Sequence, residues 1–89
     1  MDSDKLRIFM AVARWGSISE AARRLYVSHS TVSRAVAALE EELDMELFVR
    51  SNRSSELTPA GRVLLDEAEK LLTAMDKAAE KVRNAVQNI

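Results

Sequence analysis

SHSTVSRAVAALEEEL, residues 28–43, is the stretch on which the arrangement of this 89-residue chain turns. The Ser28 hydroxyl can accept a bond from the backbone N–H of Ser30 or Thr31, donors that the first turn of a helix leaves without partners. Val27, just before that cap, and Val32 form a hydrophobic staple across it. Val32, Val36, Leu39 and Leu43 then recur at steps of three and four, which puts them on one buried face. The opposite face of the first turns carries His29, Ser30, Ser33, Arg34 and Ala37: short donors and acceptors, one Arg, and no bulky apolar group. A helix that meets only solvent usually carries longer Lys and Glu side chains there, whereas small polar ones let a helix backbone sit deep in a groove. An amphipathic helix with a serine-rich start is the simpler alternative for this stretch taken alone.

Length and composition narrow the classes. Eighty-nine residues make one domain, whose core must come from local elements or from oligomerisation. Hydrophobic residues at 47% and charged ones at 30% belong to a globular chain, and two Gly and one Pro leave little room for linkers, so the expectation is mainly helix. No apolar run approaches the ~20 residues of a membrane span, and the first residues lack the apolar region of a signal peptide. The absence of cysteine removes disulfides and thiolate metal sites and fits a reducing cytoplasm, the expected location.

The net charge of −1 hides an uneven distribution. From Arg14 to Arg34 four Arg stand against the single acid Glu20, a local +3; from Glu40 to Glu46 there are five acids and no base. Residues 28–43 are therefore basic toward the start and acidic toward the end, and the helix dipole adds to that bias, because its N-terminal end already favours phosphate. A mixed, solvated surface is the plain alternative.

Ahead of this stretch, Asp2 or Ser3 can cap a first helix with a stripe of Leu6, Phe9, Met10 and Ala13, which Gly16 ends with a left-handed residue. Ser17-Ile18-Ser19-Glu20 has the form of a capping box and starts a short helix bearing Ala21, Ala22 and Leu25. Tyr26-Val27-Ser28 is a sharp turn, and two helices so joined form a helix-turn-helix. Behind the stretch, Asp44 stands where a left-handed cap is wanted, which predicts strain or a differently closed turn. Residues 46–50 and 55–58 read as two extended arms of a small hairpin, a wing, with Leu47 and Phe48 turned into the core and Arg50 and Arg53 outside. Thr58 caps a last helix with Pro59 at its first position. No breaker follows from Val63 to Ile89, so this helix spans some thirty residues, ~45 Å at 1.5 Å per residue. Leu65, Ala68, Leu72, Met75, Ala79, Val82, Val86 and Ile89 keep steps of three and four along it. A helix this long outreaches the core available to it, so these residues are expected to pair with a second copy.

The order Leu6-Arg7-Ile8-Phe9, Gly16-Ser17-Ile18-Ser19, Ala21-Ala22-x-x-Leu25, Val27-Ser28, Ser33-Arg34, Leu39-Glu40, Leu43, Leu47-Phe48-x-Arg50 and Leu57-Thr58-x-Ala60-Gly61 resembles the N-terminal DNA-binding domain of LysR-type transcriptional regulators across essentially the whole chain. The resemblance implies a winged helix-turn-helix, a linker helix that mediates dimerisation, and an operator that is an interrupted inverted repeat. Proteins of that family normally continue into an effector-sensing domain, so the chain is expected to be the DNA-binding portion alone, with no small-molecule site. Three positions depart from the family pattern. His29 stands where Gln is common, Ser30 where Pro is frequent and Asp44 where Gly is usual. Gln reads adenine bidentately and His offers a different donor set, so the family's base preference does not carry over.

The expected fold is mainly α: a winged helix-turn-helix of three helices and a β-hairpin over residues 1–58, and a linker helix for dimerisation over 59–89. Ser28, His29, Ser30, Thr31, Ser33, Arg34, Arg50 and Arg53 are the expected contacts to double-stranded DNA. Within that set His29, Ser30, Ser33 and Arg34 face base edges, and Ser28, Thr31 and Arg50 hold phosphates. No cofactor, metal or membrane is expected. The dimer is expected to be antiparallel, since in a parallel pair apolar Leu64, Leu71, Ala78 and Ala85 would face polar Glu69, Asp76 and Arg83. An enzyme would need a constellation that one His, no Cys and no glycine-rich loop do not supply. The competing class is an interaction module built on the last helix without DNA binding, which a salt-dependent gel shift separates from the first.

Overall fold

Asp2 starts the first helix: its Oδ1 accepts from the Lys5 backbone N–H at 2.8 Å, and its side chain also takes the Lys5 ammonium at 2.6 Å. The computed structural model describes residues 1–49 and 55–87, and among them are α1 (Ser3–Trp15), α2 (Ile18–Leu25), α3 (His29–Leu43) and α4 (Pro59–Gln87). Gly16 ends α1 at φ 74°, with its N–H on the Val12 carbonyl at 2.9 Å. Ser17 caps α2 by accepting from the Glu20 N–H at 2.9 Å. This is one leg of the expected capping box; the Glu20 carboxylate is taken by Arg23 at 2.6 Å and Arg24 at 3.0 Å.

The ends of α2 and α3 close in the same way. Tyr26 (φ 57°) and Asp44 (φ 52°) are both left-handed. Val27 N–H reaches back to the Ala22 carbonyl at 3.1 Å, and Met45 N–H to the Glu40 carbonyl at 3.1 Å, bonds that satisfy carbonyls a helix end leaves orphaned. Asp44 thus takes the strained position foreseen for it, and a Tyr does so at the other turn, where no strain was expected.

Leu6, Phe9 and Val12 of α1, Ala21 and Ala22 of α2, Val32, Val36 and Leu39 of α3, and Leu64, Ala68 and Leu72 of α4 form one core with Leu47 and Phe48. Phe9 lies 5.3 Å from Phe48, centroid to centroid, with the rings tilted by 46°, a favourable aromatic arrangement. Leu43, expected on the buried face of α3, is exposed, because the last turn of that helix has run past the core.

The two arms of the expected hairpin meet in one antiparallel bridge, Phe48 to Leu57, flanked by bonds from Val49 N–H to the Glu56 carbonyl at 2.8 Å and from Thr58 N–H to the Leu47 carbonyl at 3.0 Å. Leu47 and Phe48 are buried as expected. Residues 50–54, with Arg50 and Arg53, lie outside the described residues. Ser55 N–H donates to the Gly16 carbonyl at 2.8 Å and so fastens the returning arm to the turn between α1 and α2. Thr58 then caps α4: its Oγ1 accepts from Gly61 N–H at 3.0 Å and donates to the Glu46 carbonyl at 2.6 Å.

Helix α4 runs for 29 residues along a molecule 56 Å in its longest dimension. Its first half packs on α1 through Leu64, Ala68 and Leu72, and Arg7 of α1 reaches Asp76 at 3.7 Å. Ala68 and Leu72, expected to face a second copy, are therefore already covered within the single chain, since α1 takes that side of the stripe. Met75, Ala79, Val82 and Val86 remain exposed, Val82 and Val86 by 66% and 67%; Ile89 lies outside the described residues.

Gly61 is where α4 and the hairpin base come closest. A Cβ there would collide with the Leu47 carbonyl oxygen and stand 2.9 Å from Leu57 Cδ2. Gly61→Ala is expected to destabilise the fold by about 1–3 kcal/mol, the usual cost of forcing an extra methyl into a packed site. The urea midpoint measures it, and an unchanged midpoint would mean that the arm yields freely.

Candidate nucleic-acid interface

Three of the hydroxyls at the start of α3 form a cluster. Ser28 Oγ accepts from the Thr31 N–H at 3.1 Å, lies 2.8 Å from Thr31 Oγ1 and 3.3 Å from Ser30 Oγ, and all three residues are exposed. No acid occupies the first turn, so the unpaired N–H groups and the positive end of the dipole face outward together. One turn on, Arg34 Nε donates to the Ser30 carbonyl at 3.2 Å. That bond holds the guanidinium against the helix and orients its fork. His29 and Arg34 are exposed and Ser33 is half-buried.

Ser28, His29, Ser30, Thr31, Ser33 and Arg34 are thus brought together along the first two turns of one helix. Packing of α3 on α1 and α2 directs its apolar side inward and leaves these side chains outward.

The cations around this surface are less free than the local +3 implies. Arg23 and Arg24 both bind Glu20, and hydrogen bonds from Arg23 first and Arg24 second hold the Glu20 carboxyl below the usual carboxylate range. Arg24 also stacks over the Trp15 ring at 3.9 Å, with Arg14 near the same ring at 5.2 Å. At the acidic end, Glu40 Oε2 accepts from the Leu47 N–H at 2.8 Å, so this carboxylate anchors the first arm of the hairpin. One cation beside the surface was missed from sequence. Lys5 of α1 shares a groove with Thr31 and Arg34, a proximity set by the crossing of two helices and carried by no local pattern. Tyr26, at the turn before α3, is 94% exposed, and nothing in the local pattern around it announces that exposure.

Comparison with known proteins gives the same architecture. The sequence profile described as bacterial regulatory helix-turn-helix protein, lysR family, matches residues 3–62. The HTH-type transcriptional regulator YofA of Bacillus subtilis (strain 168) is 45% identical over 87 residues, covering 98% of this chain and 30% of that protein. ClcR of Pseudomonas putida, also an HTH-type transcriptional regulator, is 41% identical over 85 residues, covering 96% of this chain and 29% of that protein. The chain therefore spans about three tenths of the length of these relatives. Among solved structures, that of the CbnR_DBD–DNA complex superposes with a TM-score of 0.92 at 37% identity, covering 97% of this chain and 99% of that one. The BenM_DBD/benA site 1 DNA complex gives 0.92 at 33% identity, covering 96% and 99%. The profile covers well over half of the sequence, and the chain belongs to the lysR family of bacterial regulatory helix-turn-helix proteins.

Proposed function

We propose that this chain is the DNA-binding portion of a cytoplasmic transcription regulator, and that it lays the first two turns of α3 in the major groove of double-stranded DNA as one half of a homodimer on an interrupted inverted repeat. The observation that carries the reading is the outer face of α3: small hydroxyls around a positive helix end with no acid in its first turn, one oriented Arg, and no bulky apolar group. Such a surface can approach base edges closely, and the CbnR and BenM domains that it resembles were solved with DNA. In this reading His29, Ser30, Ser33 and Arg34 read bases, Ser28, Thr31 and Arg50 hold phosphates, and Arg53 serves the minor groove from the wing. The reaction is binding, with no chemical step and no cofactor.

The dimer follows from α4. From its middle outward it carries Leu71, Met75, Val82 and Val86 exposed along one helix, and a patch of that kind on a small domain marks a contact surface. Beside its inner half, Met10, Trp15 and Leu65 line an open groove between α1 and α4, rimmed by Arg7, Arg14 and Glu69. An antiparallel partner helix lays its outer half along that groove, and the two winged ends then lie at opposite ends of the pair.

Arg34→Ala is expected to cost about 1–3 kcal/mol on the preferred site and to relax the sequence preference, whereas Arg50→Ala weakens all duplexes alike and lowers the salt slope by about one unit. Anisotropy titrations on a duplex selected from a random pool and on a scrambled duplex separate the two; equal losses on both for Arg34→Ala would overturn its assignment to bases. Val82→Glu is expected to turn the dimer into a monomer in sedimentation with helicity retained, and an unchanged dimer would exclude the outer half of α4 from the interface.

A further inference from the structure

Between α1 and α3 runs an open groove lined by Lys5, Ile8, Thr31, Arg34, Ala35 and Ala38. Its floor is apolar and small-featured, two Ala and one Ile. Its rim carries a hydroxyl and two cations drawn from two different helices. An α-helix with side chains is about 10–12 Å across and the major groove is about 12 Å wide, so a helix seated there has a sugar–phosphate wall on either flank. The flank of α3 that faces α1 is the one on which Lys5 stands.

The ammonium of Lys5 has three donors. One goes to Asp2 at 2.6 Å, and among the described residues the other two have no bonded partner. Thr31 Oγ1, 2.8 Å from Ser28 Oγ, supplies a hydroxyl to the same groove. The charged groups acting on Lys5 are Asp2, Glu42 and Asp4, and all three repel an incoming anion. Asp2 is the one in contact, so it sets how much of the Lys5 charge is left for a ligand.

We propose that this groove seats one phosphodiester of the DNA backbone, gripped by Lys5 and Thr31, with the adjoining sugar on Ile8, Ala35 and Ala38, and that Asp2 weakens the grip. The inference rests on the DNA-binding reading above and adds α1 to the contact surface. The apolar floor favours a phosphate that arrives with its sugar over a free one.

Lys5→Gln, Lys5→Arg and Asp2→Asn in the 89-residue chain test it, by anisotropy on the selected and the scrambled duplex across a salt series. Lys5→Gln weakens both duplexes equally, and losing one phosphate contact makes the wild-type advantage shrink about threefold between about 50 and about 200 mM salt. Lys5→Arg keeps the wild-type slope. Asp2→Asn retains an oxygen for the cap and tightens both duplexes. A Lys5→Gln variant that melts earlier but keeps the wild-type salt slope would show that Lys5 serves only its own helix, and the inference falls while DNA binding stands. If the wild-type chain shows no salt-dependent binding to either duplex, the DNA-binding reading itself falls. Addition of inorganic phosphate at constant ionic strength distinguishes the ligand source: strong competition would mean a free-phosphate site and overturn the assignment to the backbone.

Discussion

Phe9 has no exposed surface, and its helix, only 13 residues long, is the one on which α2, α3 and α4 all pack. That shared dependence constrains the molecule more than any other contact. A helix of this length has under four turns, so its sides must be divided among three neighbours and the ring of Phe48. Ala21 and Ala22 let α2 come close without taking up room, the β-branched Val32 and Val36 fill the side toward α3, and Leu64 and Leu72 close the side toward α4. The aim of α3 is therefore a property of α1, and the two ends of the hairpin base are tied to the same frame through Phe48 and the Ser55–Gly16 bond.

What was legible in the sequence was what is decided within one helical turn. Asp2, Ser17, Ser28 and Thr58 each bond an N–H three residues on, because a short oxygen-bearing side chain at a helix start has that donor in reach whatever the rest of the chain does. Gly16 and Asp44 could be placed for the same local reason. The positions that misled are those decided by how helices cross. Leu43 keeps the period of its helix, yet the core ends before it. Ala68 and Leu72 keep the period of α4, and nothing in that period says whether the neighbour is α1 or another copy. The neighbourhood of Lys5 and Arg34 has the same origin, as does the left-handed Tyr26, whose turn is imposed by the short span from α2 to α3. The hairpin was legible at its base, where Leu47 and Phe48 go inward.

Charge shows how little a net value conveys. The chain is at −1, but Arg23 and Arg24 are bound to Glu20, and Arg24 sits over the Trp15 ring. These pairs are solvent-exposed and each contributes little to stability; their effect is to fix where the cations sit. The outward potential of α3 is consequently set less by a count of Arg than by the helix end itself and by Arg34, which is spaced from the acidic half of its own helix by Ala35, Ala37 and Ala38.

Both termini of α3 are locked by chain reversals in which a residue other than glycine holds the left-handed conformation. A helix clamped at each end behaves as a cassette of fixed length. Inserting or deleting a residue between the clamps would rotate everything beyond it by about 100°, a turn of 360° being shared among 3.6 residues, and would carry the core side chains into water. Substitution is free of that penalty: positions 29, 30, 33 and 34 can change their chemistry while Val32, Ala35, Val36 and Leu39 keep the frame. Change along this stretch is thereby confined to side-chain chemistry at constant spacing, and the outer face can be rewritten while the folded frame stays as it is.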